Sequence, residues 1–82
     1  MTISEKMLLK LLSGKSDNGF RFAEIDSMLI GFGFQKRVKG AHHIYWKEGV
    51  DEILNLQPKG KKAKAYQVKQ IRDIIVKYGF GV

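Results

Sequence analysis

The chain has no cysteine, one proline, one tryptophan and two histidines among its 82 residues. Without cysteine there is no disulfide framework and no thiolate metal site. A long hydrophobic run is also missing. The apolar set near the start (Ile3, Met7, Leu8, Leu9, Leu11, Leu12) is interrupted by Glu5, Lys6 and Lys10. That pattern is neither a signal peptide nor a membrane span, so a cytoplasmic protein with no membrane partner is expected. Acidic residues are few throughout, and only one half of the chain is rich in basic ones. Residues 1–35 hold four basic and four acidic side chains, whereas residues 36–82 hold eleven basic and four acidic, which accounts for the whole net charge of +7. A one-sided cationic excess points to a polyanion, most simply nucleic acid. The length fits one domain, 1–82, with a modest core.

Hydrophobic spacing supplies the elements. Ser4 is placed to cap a helix over about 3–13, with Met7, Leu8, Leu11 and Leu12 on its buried stripe. Ser16-Asp17-Asn18-Gly19 reads as a loop. Phe22, Ile25, Met28, Leu29 and Phe32 recur at helical spacing over about 21–32, and Gly33 stops that helix. The period then becomes two. Phe34, Lys36 and Val38 alternate with Gln35, Arg37 and Lys39. Gly40 turns the chain, His42–Trp46 forms a second strand, and Lys47-Glu48-Gly49 reads as a short hairpin connection. A third strand over Val50–Gln57 ends at Pro58, and a last helix covers about 65–78. The expected class is α+β, a three-stranded antiparallel sheet packed on helices in the order α-α-β-β-β-α, with one sheet face left open.

Ser13-Gly14-Lys15-Ser16 is not a phosphate loop, because Leu9 stands where a glycine is needed and a helix precedes it. The two histidines do not suit a shared metal, since adjacent strand residues point to opposite faces; no metal or other cofactor is expected. An acid/base role fits better. Cleavage of RNA through its 2′-hydroxyl needs a proton acceptor, a proton donor and cations for the developing charge. Histidine suits the first two, and Lys39, Lys36 and Arg37 lie close by in sequence. Lys59, Lys61, Lys62 and Lys64 crowd the start of the last helix, where phosphate is favoured, and Lys69 and Arg72 continue the charge. Alternation groups His42 with Ile44 and Trp46 in the apparent core phase. It sends His43 and Tyr45 outward, where Tyr45 is available to contact bases. Asn55 and Gln57 join the open face if Leu54 and Leu56 point inward.

Gly33-Phe34, Lys39-Gly40-Ala41-His42-His43-Ile44-Tyr45, the hairpin, the Gly-Lys loop and the final amphipathic helix resemble the HicA family of toxins. Members are small mRNA-cleaving ribonucleases of type II toxin–antitoxin pairs, with a double-stranded-RNA-binding-domain-like fold. The resemblance covers about residues 22–80, implies a double-stranded-RNA-binding-domain-like core over about 21–80, and leaves the first helix outside. It implies that His42 is the catalytic histidine, that mRNA is the substrate and that a HicB-type antitoxin is the partner. Ala41 stands where the family has serine or glycine, and Gln57 where many members carry a second histidine. The resemblance selects His42 and periodicity selects His43, with Lys39 and Tyr45 as further contacts and Arg37, Lys59, Lys61, Lys62 and Lys64 as phosphate ligands. The expected function is a metal-independent endoribonuclease toxin. The alternatives are a non-catalytic RNA-binding module and a protein-interaction domain.

Overall fold

The computed structural model of the chain describes residues 5–80. The elements are α1 (Glu5–Ser13), a 3-10 turn (Asp17–Gly19), α2 (Phe22–Gly31), β1 (Gln35–Lys39), β2 (His42–Trp46), β3 (Leu54–Leu56) and α3 (Ala65–Tyr78). The strands form one antiparallel sheet in the order β1-β2-β3. The α+β class and the order α-α-β-β-β-α agree with the sequence reading. Ser4, the expected cap of α1, lies outside the described residues. Among those residues no helix is long and apolar enough to cross a membrane.

Short-range chemistry sets the element ends. At the start of α2 the Arg21 backbone N–H donates to Glu24 Oε1 at 2.8 Å, satisfying a group that the helix leaves unpaired. At the start of α3 the buried Gln67 works in two directions. Its Oε1 accepts from the Lys64 N–H at 3.4 Å, and its Nε2 donates to the Gln57 carbonyl at 3.1 Å. Gln67 therefore ties the last helix to the end of β3.

The first hairpin has a two-residue loop, Gly40-Ala41, because Lys39 pairs with His42. Gly40 has φ +60°, and no described non-glycine residue has positive φ. Positive then negative φ is the sign pattern of a type II′ turn, whose twist matches the flanking strands. This geometry explains why glycine comes first in the turn.

Register then fixes the faces. Val38 is opposite His43, and Lys36 is opposite Tyr45; on the other side Leu56 is opposite His43, and Leu54 is opposite Tyr45. Paired residues share a face. Phe34, Tyr45, Leu54 and Leu56 are buried, so that face is turned to the helices. This corrects the expected phase of β2: Tyr45 is core, and Ile44 and Trp46 lie on the open face with His42. Tyrosine can occupy the core because its hydroxyl finds a partner there. It donates to Asp26 Oδ1 of α2 at 2.6 Å, and Lys36 Nζ meets the same oxygen at 2.7 Å.

The third strand is also shorter than expected. Only Leu54–Leu56 pairs with β2, and residues 50–53 leave the ladder. Val50 is buried, and the Asp51 N–H donates to the Tyr78 hydroxyl at 3.1 Å. The Tyr78 hydroxyl in turn donates to Glu52 Oε1 at 2.6 Å, and Lys77 Nζ reaches Glu52 Oε2 at 2.9 Å. The end of α3 thus takes the polar groups that a longer strand would have spent on pairing.

Burial opposes ionisation of Asp26, yet hydrogen bonds from Lys36 and Tyr45 outweigh it and hold the carboxyl below its usual range. The Arg72 hydrogen bonds hold Asp17 low, and the Tyr78 hydroxyl, with Lys77, brings Glu52 to about 2. Depressed carboxylate values stabilise the fold above the unfolded values, near pH 4, and that stability is lost as pH falls through the folded ones. The thermal midpoint is therefore expected to be flat from about pH 7 to 5 and to fall steeply below about pH 4. Tyr45→Phe is expected to cost about 1–2 kcal/mol, read from the urea midpoint, because Asp26 keeps Lys36 but loses one donor.

Candidate nucleic-acid interface

The open face of the sheet carries Gln35, Arg37 and Lys39 from β1, His42, Ile44 and Trp46 from β2, and Asn55 from β3. None of the seven is acidic. His42, Lys39, Arg37 and Asn55 are exposed. The II′ turn places Lys39 directly opposite His42, and Arg37 is opposite Ile44. His42 Nδ1 lies 3.0 Å from Asn55 Oδ1. The strand pairing thus gathers a proton-carrying ring, two cations and an amide on one accessible surface. Such a surface can attract an anion and exchange a proton beside it.

His43 has the opposite setting. Its ring packs edge-on to Phe22 of α2 with centroids 4.7 Å apart, and its Nδ1 is buried with no hydrogen-bond partner. A ligand lying on the open face does not meet it there, which corrects the choice that periodicity made. Tyr45, expected to contact bases, is sealed in the core. Burial, reinforced by the Asp26 carboxylate, pushes its phenol far above the usual value. The aromatic ring that the open face does carry is Trp46. The phase of the buried Phe34, followed through the two-residue turn, was the sequence signal for this exchange.

The lysine loop is a small hairpin held in place. Lys59 and Lys62 exchange backbone hydrogen bonds at 2.9 and 3.0 Å around Gly60-Lys61, and Gly60 has φ +61°. Lys61 O accepts from the Phe22 N–H at 2.9 Å, and the Ala63 N–H donates to Phe20 O at 3.1 Å. These bonds tie the loop to the segment that leads into α2. A shallow cleft of about 870 Å³ opens beside it, lined by Pro58, Lys59, Lys62, Lys64 and the exposed Tyr66. The hairpin begins four residues beyond Asn55, at most about 14 Å along an extended chain.

Ion pairs decide which cations are available. Lys36 is bound to Asp26, Lys69 to Asp73, Arg72 to Asp17 and Lys77 to Glu52. The Arg72 contact is two-pronged, at 2.7 and 3.0 Å, and the same group donates to Leu11 O at 3.2 Å. Arg72 therefore does not extend the phosphate surface as the sequence suggested, and Lys69 shares its exposed position with Asp73. Among the described residues, Arg37, Lys39, Lys59, Lys61, Lys62 and Lys64 have no salt-bridge partner. No group of three or more His, Asp and Glu side chains is placed to hold a metal ion among those residues. Comparison with protein-family models, curated proteins and solved structures finds no match to this chain.

Proposed function

We propose that the protein is an endoribonuclease that cleaves RNA without a metal, using His42 as its proton-transfer group. The observation that carries this reading is the exposed His42 ring on an acid-free sheet face, with Lys39 directly across from it. An RNA backbone drawn to this face would meet an imidazole able to exchange a proton near neutral pH. In such a reaction the 2′-oxygen attacks the adjacent phosphorus, and the bond to the 5′-oxygen breaks. Charge then gathers on the non-bridging oxygens. Lys39 and Arg37 stand where cations can stabilise that charge. Lys59, Lys61, Lys62 and Lys64 hold the flanking backbone, a contact that positions the strand and reads no sequence.

The resemblance to HicA toxins adds the biological half of the proposal. The chain would be a toxin directed at mRNA in the cytoplasm, restrained by a HicB-type antitoxin that covers the basic face. Gln57, where many members carry a second histidine, has an exposed side chain that cannot carry a proton. His42 is then the single imidazole of the site. A second reading, a non-catalytic RNA-binding module, is favoured by the braced lysine hairpin, which needs no histidine to bind phosphate.

Matched RNA and DNA strands incubated with the protein in EDTA decide between these readings. The expected result is cutting of RNA alone, leaving a 2′,3′-cyclic phosphate. Equal cutting of DNA, or full dependence on added metal, overturns the mechanism. His42→Ala is expected to lower the cleavage rate by about a hundredfold or more while leaving RNA retention intact. It should also abolish growth arrest when the gene is induced alone. A Lys61→Ala/Lys62→Ala variant should weaken RNA binding and make its salt dependence shallower by roughly 1–2 in log–log slope. Retention of RNA without cleavage by the unaltered protein would establish the binding module instead.

A further inference from the structure

We propose that Asn55 is a positioning residue that holds His42 in the tautomer with the proton on Nδ1, so that Nε2 is the base; this deepens the ribonuclease reading and rests on it. The side chain of Asn55 has a fixed direction. Its neighbours Leu54 and Leu56 are both fully buried, so alternation turns Asn55 to the open face. Asparagine is a poor strand former, yet it occupies the centre of a three-residue strand. Its contact with His42 gives the position a role that strand propensity does not. The amide oxygen lies 3.0 Å from Nδ1. A carbonyl oxygen only accepts, so the ring nitrogen facing it must donate. A neutral imidazole that donates from Nδ1 keeps its lone pair on Nε2, the atom at the far end of the ring from the backbone.

Both ends of this bond rise from backbone that is anchored in the fold. His42 follows the II′ turn and pairs with Lys39, and β3 is pinned by its leucines and, one residue further, by the Gln67 bond to Gln57 O. In the reaction Nε2 takes the proton of the 2′-hydroxyl as the 2′-oxygen–phosphorus bond forms. The bond to the 5′-oxygen breaks with its electron pair, and water protonates that oxygen. The hydroxide left behind recovers the proton from Nε2. Throughout, Nδ1–H remains on the amide oxygen, whose dipole supports the transient imidazolium without cancelling its charge.

The test reads the tautomer before any substrate is added. In the full-length protein labelled with nitrogen-15 and held at mildly alkaline pH, the His42 Nδ1 resonance is expected in the protonated, pyrrole-type range and Nε2 in the lone-pair range. Asn55→Leu, which fills the same space without an acceptor, should produce a mixture of tautomers. It should also lower kcat for RNA in EDTA by about tenfold or more with KM unchanged. Asn55→Asp, which also accepts from Nδ1–H, should keep the tautomer and restore most of the rate. A proton on Nε2 in the unaltered protein overturns the assignment. So does an Asn55→Leu variant with unchanged tautomer and unchanged kcat. If the Nδ1–H form is found and responds to Asn55→Leu but no RNA is cut, the ribonuclease reading fails and the tautomer assignment stands.

Discussion

The hydroxyl of Tyr45, donated to Asp26 beneath the sheet, is the contact on which the rest of the surface depends. A strand offers only two faces, and the residue that claims the interior decides what its neighbours show to solvent. Tyr45 fills the core between the sheet and α2, and Asp26 satisfies the one polar atom it takes inside. Lys36 enters the same arrangement from β1 and keeps the Asp26 carboxylate charged. Once this face is committed, His42, Ile44 and Trp46 must look outward, and the register brings Lys39, Arg37 and Asn55 into line with them. The candidate site is thus a by-product of how the opposite face is packed.

Charge follows a comparable logic of allocation. Four carboxylates are spent on particular cations: Asp26 on Lys36, Asp17 on Arg72, Asp73 on Lys69 and Glu52 on Lys77. Besides Asp26–Lys36, which joins α2 to β1, two of these pairs brace the fold. Arg72 links α3 to the 3-10 turn and to the end of α1, and Glu52 links the β2–β3 connection to the end of α3. In the second half of the chain the cations without an ion pair, Lys47 apart, lie on the open sheet face and in or next to the lysine hairpin. Net charge alone would have credited every lysine and arginine in the second half of the chain equally; the contacts separate those that hold the protein together from those free to meet a ligand.

Much of this was legible in the sequence. Helical spacing located α2 and α3 almost to the residue, and Gly40 marked the turn that pairs Lys39 with His42. The outward position of Asn55 followed from Leu54 and Leu56. Within β2 itself the phase is masked, because Ile44 and Trp46 look more apolar than Tyr45 and His43. Phe34 carried the correct answer, since its phase passes through Lys36 and Val38 and across the two-residue loop to His43 and Tyr45. The short third strand was not legible. Its shortness comes from Tyr78, 27 positions beyond Asp51, capturing a backbone donor that local pattern assigns to the ladder. The bond between His42 and Asn55 is likewise a property of two strands together, 13 positions apart.

The two-residue loop at Gly40-Ala41 constrains how this protein can drift. Deleting one residue there leaves too short a connection and displaces the pairing by one step, and a step of one exchanges the faces of everything that follows on the strand. His43 would then be carried to the outer surface, while Tyr45 would be pulled from Asp26 and leave a void under the sheet. Descendants of this chain can change the letters of the turn, within the handedness that Gly40 supplies, far more freely than they can shorten it.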